Sequence, residues 1–154
     1  MIRIMYDSTD AASIPKSAVM VAGYINGAFK WSADDWARFP NAAHVQINVT
    51  GDVADGGDIL DVERFDATVL QIPDWVKQRD AVGGMHGIYC NRSSLLTVQR
   101  VLAAIPITTA LWVADWTNAP HQVAGCVATQ FENTPGYDLS AVYNDAWHPA
   151  PKAA

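Results

Sequence analysis

Asp61 and Glu63 stand one residue apart where an apolar run, DILDVE, breaks off. Side chains two apart on a strand face the same way. At a rise of about 3.3 Å per residue, the bases of the two are about 6–7 Å apart. Two carboxylates that close in a partly dry pocket cannot both ionise freely, so one keeps its proton near neutral pH. That combination suits cleavage of a glycosidic bond: one acid protonates the leaving oxygen, and a negative neighbour steadies the positively charged sugar transition state. Asp7 closes the first strand-like run and Asp138 opens the last. First and last strands are neighbours in a closed barrel, which would bring these two acids to the pair. Because barrel active sites lie at strand C-termini, Asp138 is expected on the loop after the seventh run, within TQFENTPGYD.

Six Trp and five Tyr are a heavy aromatic load for 154 residues. Tyr89, Trp112, Trp116 and Phe131 fall near the ends of strand-like runs, where they could stack on sugar C–H faces or fill the core. Trp36 and Trp75, on helical segments, read as core. His44, His86, His121 and His148 each lack a ligand-spaced partner and are expected on the surface or in loops. Cys90 and Cys126 have no metal or disulfide spacing and read as free, apolar-behaving thiols. No metal or cofactor is expected, and no glycine-rich phosphate loop is present.

These side chains need a frame. The length fits one domain with a real core, half of the residues are hydrophobic and 17% are charged. Net charge is −6, from 10 basic and 16 acidic residues. That balance argues against nucleic acid and against an anionic membrane surface as partners. There is no apolar run long enough to span a bilayer, and the N-terminus lacks the apolar core of a secretory signal.

Periodicity predicts eight strands: 2–8, 18–25, 44–51, 58–63, 87–93, 109–116, 125–133 and 137–143. Between them, 32–39 reads as a helix capped by Ser32. Residues 65–84 read as two helical pieces broken at Pro73. Residues 93–105 read as an amphipathic helix capped by Ser94, with Leu95, Val98, Leu102 and Ile105 on one face. The expected architecture is α/β: a compact, trimmed TIM-like barrel of about eight strands with an incomplete helical layer, over residues 1–147. A polar tail is expected over 148–154. A doubly wound open sheet is the alternative.

Taken in order, IMYDST, ILDVE, IYCNRS, ALWVADW and ATQFENTPGYDLS resemble the family 25 glycoside hydrolases, the lysozymes that cleave the peptidoglycan glycan strand, and related glycoside-hydrolase-like domains. The resemblance runs from about residue 2 to residue 145. It implies Glu63 as general acid/base and Asp61 as the negative neighbour, with Asp7 and Asp138 completing an acidic floor. It further implies that Tyr89, Trp112, Gln130 and Trp116 contact substrate. The family's Gly-x-Tyr-His-Phe strand is replaced here by HVQINVTGD, in which Asn48 and Asp52 could supply polar contacts, although turn chemistry explains Asp52 in TGD equally well.

The function so implied is a metal-independent, monomeric glycosidase of bacterial cell-wall polysaccharide, as in a phage lysin or a domain of a larger protein. Two rivals share the residues. A non-catalytic wall-binding module would keep the groove without turnover. A Mg²⁺-dependent phosphodiesterase would use Asp7, Asp61, Glu63 and Asp138 as oxygen ligands, against which the acidic balance counts.

Overall fold

A computed structural model describes residues 2–144, 147 and 148. Eight strands close a barrel in sequence order: β1 (Arg3–Asp7), β2 (Met20–Tyr24), β3 (Ala43–Asn48), β4 (Ile59–Val62), β5 (Gly87–Asn91), β6 (Ala110–Ala114), β7 (Ala128–Asn133) and β8 (Asp138–Val142). Pairing is parallel from β1 through β7, whereas β8 runs antiparallel to both β7 and β1. All eight predicted strands are present, and the open-sheet alternative is excluded by closure.

Inward-facing Met5, Met20, Val45, Ile47, Ile59, Tyr89, Trp112 and Val142 fill the barrel interior. Outward-facing Leu60, Val62, Ile88, Cys90, Leu111 and Val113 meet two helices, α2 (Ile72–Ala81) and α3 (Leu95–Ala103). A third core packs Val21 under Trp31 and Phe39, beside the short α1 (Ala33–Ala37). Val62 thus points away from Asp61, as strand alternation requires. On the β2 side the approach is close enough that a Cβ on Gly23 would overlap the Trp31 indole.

The helical layer is incomplete, as expected, but its details differ. Ser32 caps α1 in a full capping box with Asp35. Pro73 does not break a helix; it lies in the first turn of α2, where a missing N–H leaves no hydrogen bond unmade. Residues 65–71 are therefore turns, not a first helical piece. Ser94 is itself helical (φ −92°, ψ −14°) and makes no side-chain cap. Asn91 Oδ1 instead accepts from the Ser94 N–H at 3.1 Å.

Cys90 and Cys126 are free and buried. His44 lies within β3 rather than in a loop. His148 is buried against Trp147, and its carbonyl accepts from the Arg3 guanidinium at 2.6 Å. Burial pushes the His148 pKa down to about 4, so the neutral ring packs as an aromatic. The expected tail thus begins on a packed residue; the rest of it lies outside the described residues.

Candidate active site

The rim formed by the C-terminal ends of β1–β7 gathers the acids. Asp7 ends β1, Asp61 lies in β4, and Glu63 follows directly after β4. Asp138 is not on a loop: it is the first residue of β8 and stands in register opposite Asp7. The antiparallel direction of β8 puts its beginning where its neighbours end. Asp7, Asp61, Glu63, Asp138, Tyr89, Trp112, Trp116 and Gln130 line one cavity of about 180 Å³, together with Tyr24 and Ile47.

Gln130 organises one side of this cavity. Its Nε2 donates to Asp7 Oδ1 at 2.7 Å and to Asp138 Oδ2 at 3.2 Å, and its Oε1 accepts from the Tyr89 hydroxyl at 2.6 Å. Tyr89 and Trp112 are mid-strand rather than strand-ending, in register with each other and with Asp61, so they form the layer directly beneath the rim. The Trp112 indole N–H donates to Ser140 Oγ at 3.0 Å, fixing that ring as a wall. Trp116, by contrast, is 49% exposed on the loop after β6. His121, further along that loop, has its Nε2 3.0 Å from Asp115 Oδ2. Phe131 is core, 3% exposed, at the irregularity where β7 shifts register against β8.

Burial and crowding act together on the acids. Asp7 and Asp61 are each only 5% exposed. Burial first, then the Asp138 charge, hold the Asp7 carboxyl well above its ordinary range, against the pull of the Gln130 hydrogen bond. Burial, then Glu63, Asp66 and Asp7, do the same to Asp61. Glu63, half-buried, is raised by burial, then by Asp66 and Asp138. Asp7 Oδ2 and Asp61 Oδ1 are buried without a hydrogen-bond partner. A buried oxygen in that state is most stable when its carboxyl carries a proton.

Two further cavities adjoin the first. One of about 460 Å³ shares Tyr24, Asp61 and Glu63 with it and adds Asp66; the other, about 300 Å³, shares Tyr24, Asp7 and Asp138. Shared walls make a continuous groove across the barrel mouth. Among the described residues, no Lys, Arg or His lines any of the three.

No family model matches the sequence, and no curated protein does. Solved structures match along almost the whole chain. A family GH25 lysozyme from Aspergillus fumigatus superposes with a TM-score of 0.62 and 13% identity, over 96% of each chain. A muramidase from Acremonium alcalophilum gives 0.63 and 14%, over 94% of this chain and 95% of that one. A bacterial lysozyme from Streptomyces coelicolor gives 0.56 and 14%, over 94% of each. The chain has the family 25 lysozyme fold.

Within the lysozyme fold, sequence reasoning missed Tyr24 and Asp66. Tyr24 borders all three cavities, and burial raises its pKa. Asp66 can place an oxygen within 4.8 Å of oxygens from both Asp61 and Glu63, the one group among the described residues that could hold a metal ion. That trio differs from the four acids expected for Mg²⁺: it takes in Asp66 and leaves out Asp7 and Asp138, which both accept from Gln130. Asp66 is a third acid five residues after Asp61, within the segment 65–84 that reads as helical. Asn48 is consumed internally: its Nδ2 donates to the carbonyls of Asp52 and Gly56, and its Oδ1 accepts from Asn26, Thr50 and Gly51. Asp52 caps the turn Val53–Asp55. In both, turn chemistry prevails over contact with a substrate.

Proposed function

We propose that the chain is a glycoside hydrolase acting on bacterial cell-wall glycan. The observation that carries this reading is the position of Asp61 and Glu63 at the junction of two cavities of one open groove, where a strand passing along the groove would present a bond to both. The lysozyme fold supports it, since the neighbours are lysozymes and muramidases by name.

In this mechanism the Glu63 carboxyl gives its proton to the glycosidic oxygen as the C1–O bond breaks. Burial and its acidic neighbours favour a protonated Asp61 in the empty site; the positive charge growing on the sugar ring favours its ionised form, which stabilises that charge. Water then adds to C1 and its proton returns to Glu63. Asp7 and Asp138, oriented by Gln130, complete the acidic floor. Tyr89 and Trp112 shape the wall, and Trp116 offers an exposed face to a sugar. Such a protein acts at the bacterial wall, as a lysin or as part of a larger protein, and works as a monomer.

The test is loss of turbidity and release of reducing sugar from purified cell walls, comparing wild type with Glu63→Gln. Turnover is expected to fall by a factor of at least about 10² in the variant; equal rates would remove Glu63 from the assigned role. The Asp61–Glu63–Asp66 trio favours one second reading, divalent-metal hydrolysis. Activity abolished by EDTA and restored by Mg²⁺ would select it. Sedimentation with walls without release of reducing ends, unchanged by Glu63→Gln, would select a binding module instead.

A further inference from the structure

The groove does not end at the acids. Its 460 Å³ limb is lined by Asp61 and Glu63, by Tyr24 and by two phenylalanines, Phe29 and Phe65. Neither ring contributes to any of the three cores. Phe29 is 58% exposed on the loop after β2, its centroid 6.5 Å from that of Tyr24; Phe65 is 90% exposed. Large apolar side chains left in water beside a cleft mark a contact surface.

Phe65 is also held in an unfavourable backbone conformation. The Asp66 N–H donates to the Glu63 carbonyl at 3.2 Å, closing a turn in which Phe65 is third, and its φ is +78°. Glycine or asparagine is the usual solution at such a position, because a Cβ there is strained. The turn also carries Glu63 and Asp66, so it presents the acids and the ring together. The Arg64 guanidinium lies 4.6 Å from the ring centroid and steadies it from outside the groove lining. Strain of this kind persists where the side chain it presents has work to do.

We propose that Phe29 and Phe65 form a saccharide-binding subsite that extends the glycan groove beyond Asp61 and Glu63, and that it takes an uncharged sugar unit of the same strand. The inference rests on the glycan reading above. An aromatic face is electron-rich and meets the weakly positive C–H bonds of a sugar ring, which explains rings here in place of hydrogen-bonding groups. Three carboxylates and no cation line this limb, so a unit bearing a free acid is repelled.

The experiment measures binding, so that it does not depend on turnover. Glu63→Gln serves as background, and β-1,4-linked N-acetylglucosamine oligomers of two to six units are titrated by calorimetry. Adding Phe65→Ala or Phe29→Ala is expected to weaken the longer oligomers about three- to tenfold. Leu70→Ala, at a highly exposed apolar residue outside the groove, is expected to leave affinity unchanged. A matched uronic-acid oligomer is expected not to bind. Unfolding curves verify that each variant folds, which is expected of rings that lie outside the cores. Wild-type affinity in both ring variants overturns the subsite, even if wall hydrolysis is demonstrated. Ring-dependent affinity in a protein that releases no reducing sugar keeps the subsite and overturns hydrolysis. Absence of any oligomer binding overturns both.

Discussion

At the scale of single residues, the site is governed by how many negative charges the barrel mouth holds. Glu63 is raised by burial and then by Asp66. A general acid works only while protonated, so the rate falls as pH rises through the Glu63 pKa. That alkaline limb should lie above the ordinary glutamate value of 4.5. Asp66→Asn removes a charge that disfavours Glu63 ionisation, so the limb should move to lower pH. A limb that stays in place when the pH–rate profile is measured would mean that Asp66 does not sense Glu63. The same crowding has a thermodynamic side. Folding raises Asp61, so between its ordinary value of 3.8 and its folded value the native state holds a proton that the unfolded chain releases. Stability therefore declines as pH rises through that window, and the cost is fully present above it. Asp61→Asn removes the charge and should stabilise the protein at pH 7 by about 0.5–2 kcal/mol while eliminating turnover. Denaturant titrations at pH 4 and pH 7 test this; the two proteins should converge at the lower pH.

At the scale of elements, the turn after β4 joins stability to function. Phe65→Gly relieves the positive φ and should stabilise the fold by about 1 kcal/mol, net of the entropy that glycine adds to the unfolded chain. Phe65→Ala keeps the strain and should be nearly neutral. A melt in which Gly and Ala behave alike would show that the turn is not strained. This turn also marks where the sequence was hard to read. The run DILDVE reads as a strand, but residues 65–84 read as two helical pieces, and Val69, Ile72 and Val76 do fall at helical intervals within them. Only α2 realises it, since Pro73 favours the first turn of a helix over its interior. Ser94 misled similarly: a serine before an apolar run signals a cap, yet Asn91, three residues earlier, supplies the hydrogen bond.

At the scale of the whole molecule, the informative strand is β8. A parallel strand needs a crossover of a dozen residues or more, whereas β7 reaches β8 across Thr134–Tyr137, where the Thr134 N–H donates to the Tyr137 carbonyl at 3.0 Å. Reversal of the last strand is what lets so short a chain close a barrel, and it carries Asp138 to the rim. Alternation made the strand itself visible in the sequence, but direction is set by pairing partners, so Asp138 read as a loop residue. Closure also ties distant segments through the interior. Trp112 on β6 donates to Ser140 on β8, both fully enclosed and 28 positions apart in the sequence. Ser140→Ala leaves the indole N–H buried without an acceptor, a loss of about 1–3 kcal/mol. For a chain of this size the midpoint should fall by about 2–4 °C per kcal/mol. Because β8 completes the ring, the loss should appear as one cooperative transition, coincident by tryptophan fluorescence and far-ultraviolet circular dichroism. An earlier fluorescence transition, with circular dichroism unchanged, would mean that β8 can leave while the parallel strands stay folded, and that the barrel does not depend on its last strand.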